Sequence, residues 1–351
     1  MTPFSDLELS NAIKDLKTGK AQGPDNIPPE FLKHSGRKCC SWLRDFISTC
    51  LSHISIPKIW RKATVIALPK PNKPVDDLRS YRPISLLCVP YKLLERLLLL
   101  RLKRIVDPQL PDHQAGFRRG RSTVQQMVKL TDDIEACFEE KQKAGLVLVD
   151  LTADYDSVWH QGLTLKLLRV VPDRQMVRFI VNIFSNRSFK LKTSDGQCSR
   201  LRRSRNGLPQ GSSLAPLLFN IYISDIPSTR SCQYGYANDL ALLHTNKSWE
   251  ELEKTLSADK CTVADYLSAW KLKLSVTKTT STAFYLDNKE TKRQLAVNFR
   301  GKTLPYNPNP THLGVKLDRL LNYKQHVEVY VRKSMHATIS CSALLARHGV
   351  K

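Results

Sequence analysis

The sequence predicts a mixed fold, α/β or α+β, and three observations carry that reading. Helical and strand-like apolar patterns follow one another irregularly along 351 residues, without a steady strand–helix–strand repeat. No glycine-rich dinucleotide-binding signature follows a strand. Short apolar runs at 146–149 and on either side of Ala237-Asn238-Asp239 suit buried strands, and carboxylates stand at their ends. Apolar residues make up 41% of the chain, enough for a real core, which excludes a disordered tail or a fibre.

Taken in order, residues 7–17 place Leu7, Leu9, Ile13 and Leu16 at helical spacing, and the pattern stops at Thr18-Gly19. A turn-rich stretch with Pro24, Pro28 and Pro29 follows. A helix is expected over 38–52, then a short buried strand over 63–68 that runs into the loop PKPNKPVDD. Residues 91–106 form a strong amphipathic helix, leucine-rich inside, with Lys92, Arg96, Arg101 and Arg104 outside. Further helices are expected over 123–143, 162–185, 214–224, 248–269 and 322–346. Strands are expected over 145–150, 189–193, 233–236, 240–244 and 280–285, the third and fourth joined by a tight turn at Asn238-Asp239.

Charge narrows the partners. Lys and Arg number 55 against 32 Asp and Glu, a net charge of +23 that points to a polyanion, nucleic acid foremost. The excess is clustered: eight basic residues against three acids over 92–121, seven against one over 186–210, and nine against two over 300–351. Nine dispersed cysteines with no C-x-x-C pair read as reduced thiols rather than a disulfide framework or zinc knuckle. The longest greasy run, 97–100, falls far short of a membrane span, and no basic amphipathic anchor suggests a membrane surface. A soluble, basic, intracellular protein is the expectation.

Two places pair a buried strand with carboxylates. Asp150 follows the run 146–149, where an acid is costly to bury unless it meets a cation or hydrogen-bond donors. Asn238 and Asp239 lie in the hairpin YGYANDLALL. Alone, each suits a plain role: a helix cap for Asp150, turn formation for Asn238 and Asp239. Side by side in one sheet they would make a divalent-cation site.

Eight motifs in order resemble the reverse transcriptases of non-LTR (LINE-type, jockey-like) retrotransposons, over nearly the whole chain. KAQGPDNIPPEFLK is similar to the segment before the fingers. WRKATVIALPKPNKPVDDLRSYRPISLL resembles the fingers block, and HQAGFRRGRSTVQQ the next signature. VDLTADYDSVWH resembles motif A, NGLPQGSSLAPLLFNIYISDI motif B and YGYANDLALL motif C. WKLKLSVTKTT resembles motif D, and HLGVKLD the primer-grip element.

The resemblance implies a right-hand polymerase core: an N-terminal extension over 1–56, fingers over 57–145, palm over 146–321 and a truncated thumb over 322–351. It implies RNA-templated extension of a DNA primer with dNTPs, using two Mg²⁺ ions held by carboxylate oxygens. On this chain the metal ligands would be Asp150 and Asp239, with Asn238 at the remaining position. Lys278 would protonate the leaving pyrophosphate. Lys70 and Arg82 would grip the triphosphate, and Tyr155 would gate the ribose 2′-hydroxyl. Gln210 and Gly211 would meet template and incoming base, while Leu313, Gly314 and Arg118 would contact primer and template. Asp156 reads as structural. The family also implies a nuclear or cytoplasmic ribonucleoprotein setting.

The chain departs from its family in two places. Motif C normally reads aromatic-Ala-Asp-Asp, and here it is Tyr236-Ala237-Asn238-Asp239. An amide offers a carbonyl oxygen without charge. One lost charge at 4 Å costs about 4 kcal/mol at an effective dielectric of 20, or roughly a thousandfold in rate. Position 154, normally small beside the nucleotide, is Asp, which would repel a triphosphate. Both departures predict weak or lost activity and keep open a non-catalytic, nucleic-acid-binding remnant. The chain also reads as a fragment lacking an upstream endonuclease domain and a full thumb.

Overall fold

The computed structural model describes residues 2–332 apart from 72, 75, 153, 194, 276 and 291. They form two units, each built from segments distant in sequence. One comprises the described residues up to Asp112, with Ala153–Asp225 and Trp270–Lys273. The other comprises His113–Thr152, Ile226–Ala269 and the described residues from Leu274 onward.

The second unit is organised by an antiparallel sheet in the order Thr280–Phe284, Lys143–Val149, Asp239–Asn246, Cys232–Tyr236. Lys143–Val149 is apolar on successive residues because both of its faces are covered. Gly145 faces the helix Trp249–Ala269, where a Cβ would meet the Leu252 and Leu256 side chains at 2.5 and 2.6 Å. Ala144 and Leu146 point the other way, into a core shared with Met127, Leu130 and Ile134 of the helix Thr123–Glu139. That helix starts on a capping box between Ser122 and Gln125. It ends before the expected position 143 because Lys141 takes a left-handed φ of 54°.

The first unit carries the sheet Tyr81–Leu86, Lys62–Pro69, Arg187–Lys192, Arg202–Ser204, in that order. Its central pair is parallel and the outer pairs antiparallel. Ala63, Val65, Ser85 and Arg187 are buried on one face. The register puts Lys62, Arg82, Lys190, Lys192 and Arg203 together on the opposite face, all exposed. The helix Val89–Val106 is buried through Leu93, Leu94, Leu97, Leu98 and Leu102, and also through Glu95.

Three expectations are corrected. The single helix expected over 162–185 is two, His160–Val170 and Arg174–Phe184. Pro172 lacks the N–H a helix interior needs, and the Asp173 carboxylate accepts from the Gln175 and Met176 amides to start a new helix. Apolar residues on both sides of the break keep helical spacing, which disguised it. Tyr81–Leu86, not expected as a strand, pairs along Lys62–Pro69 and tolerates Pro83 because it lies at the sheet edge. The hairpin turn also moves, as described below. Of the helix expected over 322–346, residues 324–332 are helical, residues 322 and 323 are not, Tyr323 having a left-handed φ of 55°, and 333–346 lie outside the described residues.

Candidate active site

Val149 pairs with Leu240 across the two central strands of the second unit, so the next position outward sets Asp150 beside Asp239. Tyr236 pairs with Asp239, which leaves Ala237 and Asn238 as the two central residues of the turn. The turn therefore sits one residue earlier than expected, and Asp239 already belongs to the strand. The left-handed φ of 58° falls on Ala237, the first central residue, as in a type II′ turn, which matches the right-handed twist of the strands.

Asp150 and Asp239 line one hollow with Lys278, Thr280, Asn307 and the 311–314 segment. The Asp150 amide donates to Thr279 Oγ1 at 3.3 Å, and its carbonyl accepts from the Ser275 amide at 2.8 Å. Both bonds fix the backbone and leave the carboxylate for the hollow. Asp150 Oδ2 is buried and accepts no hydrogen bond, while the Lys278 ammonium stands 3.4 Å away. Leu313 and Gly314 are the central residues of a second tight turn, at φ 47° and 87°, between Thr311-His312 and Val315-Lys316. Asp150, Asp239, Lys278, Leu313 and Gly314 are thus brought to one place.

The first unit holds the remaining candidates. Arg82 is exposed and pairs with Leu68 across the sheet, and the Lys70 amide donates to the Ser80 carbonyl at 2.7 Å. The Ser85 amide donates to the Gln210 carbonyl at 2.7 Å, which lays the 209–211 loop along the free edge of Tyr81–Leu86. Gly211 has φ 125°, and a Cβ there would stand 2.5 Å from the Ser85 carbonyl oxygen, so only glycine fits. The Tyr155 ring stacks on Phe219 with centroids 5.1 Å apart. The Asp156 backbone packs against Gly207. The Asp154 side chain lies outside the described residues.

Residues 68–317 match the family described as reverse transcriptase (RNA-dependent DNA polymerase). The chain belongs to the reverse transcriptase family. A relative named "Probable RNA-directed DNA polymerase from transposon BS", from Drosophila melanogaster, is 32% identical over 93% of this chain and 37% of its own length. "RNA-directed DNA polymerase from mobile element jockey", also from Drosophila melanogaster, is 28% identical over 91% of this chain and 36% of its own. The X-element polymerase of the same organism is 28% identical over 93% and 36%. The relatives are those of non-LTR transposons, and the chain spans little more than a third of their length.

Within this reverse transcriptase domain, Gln114 holds the turn between Tyr236 and Asp239, a role that motif spacing did not reveal. Its side-chain oxygen accepts from the Ala237 amide at 2.9 Å, and its amide donates to the Ala237 carbonyl at 3.0 Å. Gln114 is buried, and the Gly116 amide donates to the same side-chain oxygen at 3.0 Å. Arg118, expected at primer or template, donates to the Gln114 carbonyl at 3.1 Å and so braces this segment. A glutamine in the otherwise small HQAG sequence was the available signal.

Family membership implies Mg²⁺, and the donor set meets that requirement in part. Asp150 and Asp239 supply hard carboxylate oxygens, and the buried Oδ2 of Asp150, which accepts no hydrogen bond and already faces the Lys278 ammonium, suits a cation. Among the described residues no group of three or more His, Cys, Asp or Glu side chains is gathered to hold a metal ion. Asn238 is an amide beside the acid pair, so two ions would meet two carboxylates. The residues present do not fit a two-ion centre.

Proposed function

We propose that this chain is the RNA-directed DNA polymerase domain of a non-LTR retrotransposon in which nucleotidyl transfer is impaired by Asn238. The observation that carries the reading is that Asp150 and Asp239, each one position beyond the Val149–Leu240 pair, line one hollow at the end of one antiparallel sheet, with an amide next to them in the turn. In this reading the sheet with the two acids is the palm, and the sheet with Arg82 belongs to the fingers. The described residues from Asn322 onward open the partial thumb. The substrates are an RNA template, a DNA primer and dNTPs. Two-cation chemistry would call for a third carboxylate at the position where this chain carries Asn238.

The chain's own residues support binding more fully than chemistry. Lys62, Arg82, Lys190, Lys192 and Arg203 share one exposed sheet face, and no acid lies in any of its four strands. Such a face favours phosphates without reading sequence. Lys278 beside Asp150 supplies a cation at the acid pair even without metal.

Primer extension on an RNA template tests the reading. Asn238→Asp restores a third carboxylate at nearly constant volume, and we expect it to raise Mg²⁺-dependent extension by roughly a thousandfold. Affinity for primer–template should stay unchanged. Equal, vigorous synthesis by both proteins would show that Asn238 is an adequate ligand. Tight binding with no extension by either would favour the nucleic-acid-binding remnant.

A further inference from the structure

Glu95 is fully buried in the middle of the leucine-rich helix Val89–Val106, at a position where a hydrophobic side chain would be expected. Burying a carboxylate is costly unless donors meet it, and here two do. The Ser212 hydroxyl donates to Oε1 at 2.5 Å, and the Ser213 amide donates to Oε2 at 2.8 Å. Burial pushes the Glu95 pKa up, while these two bonds and the nearby Arg187 guanidinium pull it down. Ser212 passes the constraint on: its Oγ accepts from the amides of Leu214 and Ala215 at 3.2 and 3.1 Å, at the start of the helix Ala215–Ile223. That helix has no cap from Leu214 itself, so Ser212 satisfies its first amides.

The other end of the same loop is tied to the sheet. The Ser85 amide donates to the Gln210 carbonyl, and Gly211 lies too close to the Ser85 carbonyl for any side chain. The segment 209–213 is thus held from below by Glu95 and at its edge by the strand that carries Arg82. All of these contacts lie within the first unit.

We infer that Glu95 is a positioning residue for the incoming nucleotide: its carboxylate anchors Ser212 and Ser213 so that Gln210 and Gly211 stay fixed against the strand of Arg82. The inference rests on the polymerase reading of the site. It explains why a charge is kept in a leucine core, since an apolar residue there would fill the space and release the loop. Glu95 touches neither substrate nor reacting atoms, so it acts only through the loop.

The test uses the full chain in Mg²⁺ buffer with a primer ended by a dideoxynucleotide on an RNA template. The readout is the dNTP concentration that stabilises the ternary complex, which requires no turnover. Extension kinetics in an Asn238→Asp background give KM and kcat separately. Glu95→Ala should raise the dNTP requirement and the dNTP KM by about tenfold, the worth of one charge-assisted hydrogen bond, while primer–template affinity holds. Glu95→Gln keeps an acceptor for the Ser212 hydroxyl but sets its NH₂ against the Ser213 amide, so it should fall between the two. Leu98→Ala, fully buried in the same helix, controls for lost stability alone. Amide exchange across 209–213 should quicken in Glu95→Ala and not in Leu98→Ala. If Leu98→Ala shifts the dNTP requirement as far as Glu95→Ala does, or if neither shifts it, Glu95 is structural and the inference is overturned. If neither the parent chain nor Asn238→Asp forms a dNTP-dependent complex, the polymerase reading falls and this inference with it.

Discussion

His312 is buried to 5% of its free exposure, and its Nε2 has no hydrogen-bond partner. Desolvation alone lowers its pKa to about 4, so the ring stays neutral in the folded protein where it would charge in the unfolded chain. The unfolded state therefore binds more protons below pH 6.5, and stability is lost as pH falls from there toward 4. At pH 5 the loss amounts to about 2 kcal/mol, counting 1.36 kcal/mol per pH unit. Denaturant unfolding at pH 7.5 and pH 5 should show it, and His312→Phe should remove most of that difference. An unchanged pH slope in the variant would mean that His312 is hydrated in solution. The residue scale also shows what sequence can reveal. Asn238 stands out because an amide in a carboxylate motif changes charge at a named position. The fixed turn around it does not stand out, because Gln114 lies 123 positions from Ala237 and only the fold brings them together.

The element that organises the acid turn is irregular. Residues 113–116 run beside Cys232–Tyr236 through a parallel bridge at Gln114 and Gly235, with the Gly235 amide donating to His113 and the Ala115 amide donating to Gly235. The Gln126 side chain of the neighbouring helix donates to the carbonyls of both His113 and Gly235, which ties the segment down. Gly116 closes the contact: a Cβ there would lie 2.1 Å from the Ala237 nitrogen, against backbone that cannot swing aside. Gly116→Ala should therefore cost several kcal/mol, since overpacking against side chains already costs about 1–3. It should also weaken extension in an Asn238→Asp background by displacing the turn. Gly120→Ala serves as the contrast, because nothing lies within 4 Å of its Cβ and only its positive φ resists. Thermal unfolding of the two variants separates them, and equal losses would remove the argument from close approach. The regular strands and helices on either side were legible from apolar period, since both faces of Lys143–Val149 are covered and the pattern is continuous. Elements that depend on a single breaker were not. Pro172 divides a helix whose apolar spacing runs on past it, and Pro83 sits in a strand that its own composition argues against.

For the whole molecule, charge is the property that composition made plain and that the fold arranges. The net charge of +23 is not spread evenly, and the sheet of the first unit collects Lys62, Arg82, Lys190, Lys192 and Arg203 on one exposed face. The period-2 rule explains why the sequence hides this: the five residues come from four strands, and only the register puts them together. Among the described residues no helix is long and apolar enough to cross a membrane. Binding to a polyanion through such a face releases counterions, and each neutralised phosphate steepens the dependence of affinity on salt by roughly 0.7–0.9 in log–log slope. If the protein neutralises about six phosphates or more, affinity for an RNA–DNA primer–template should fall by about a thousandfold between 50 and 200 mM salt. Filter binding or fluorescence anisotropy across that range measures the slope. Reversing two of the five charges, as Lys190→Glu with Lys192→Glu, should flatten the slope by between about 1 and 2, with little effect on stability because both side chains are exposed. A slope that is flat in the parent would remove nucleic acid as the partner of the positive charge. A steep slope that the double reversal leaves intact would place the phosphate contacts elsewhere on the protein, and would direct attention to the basic residues of 92–121.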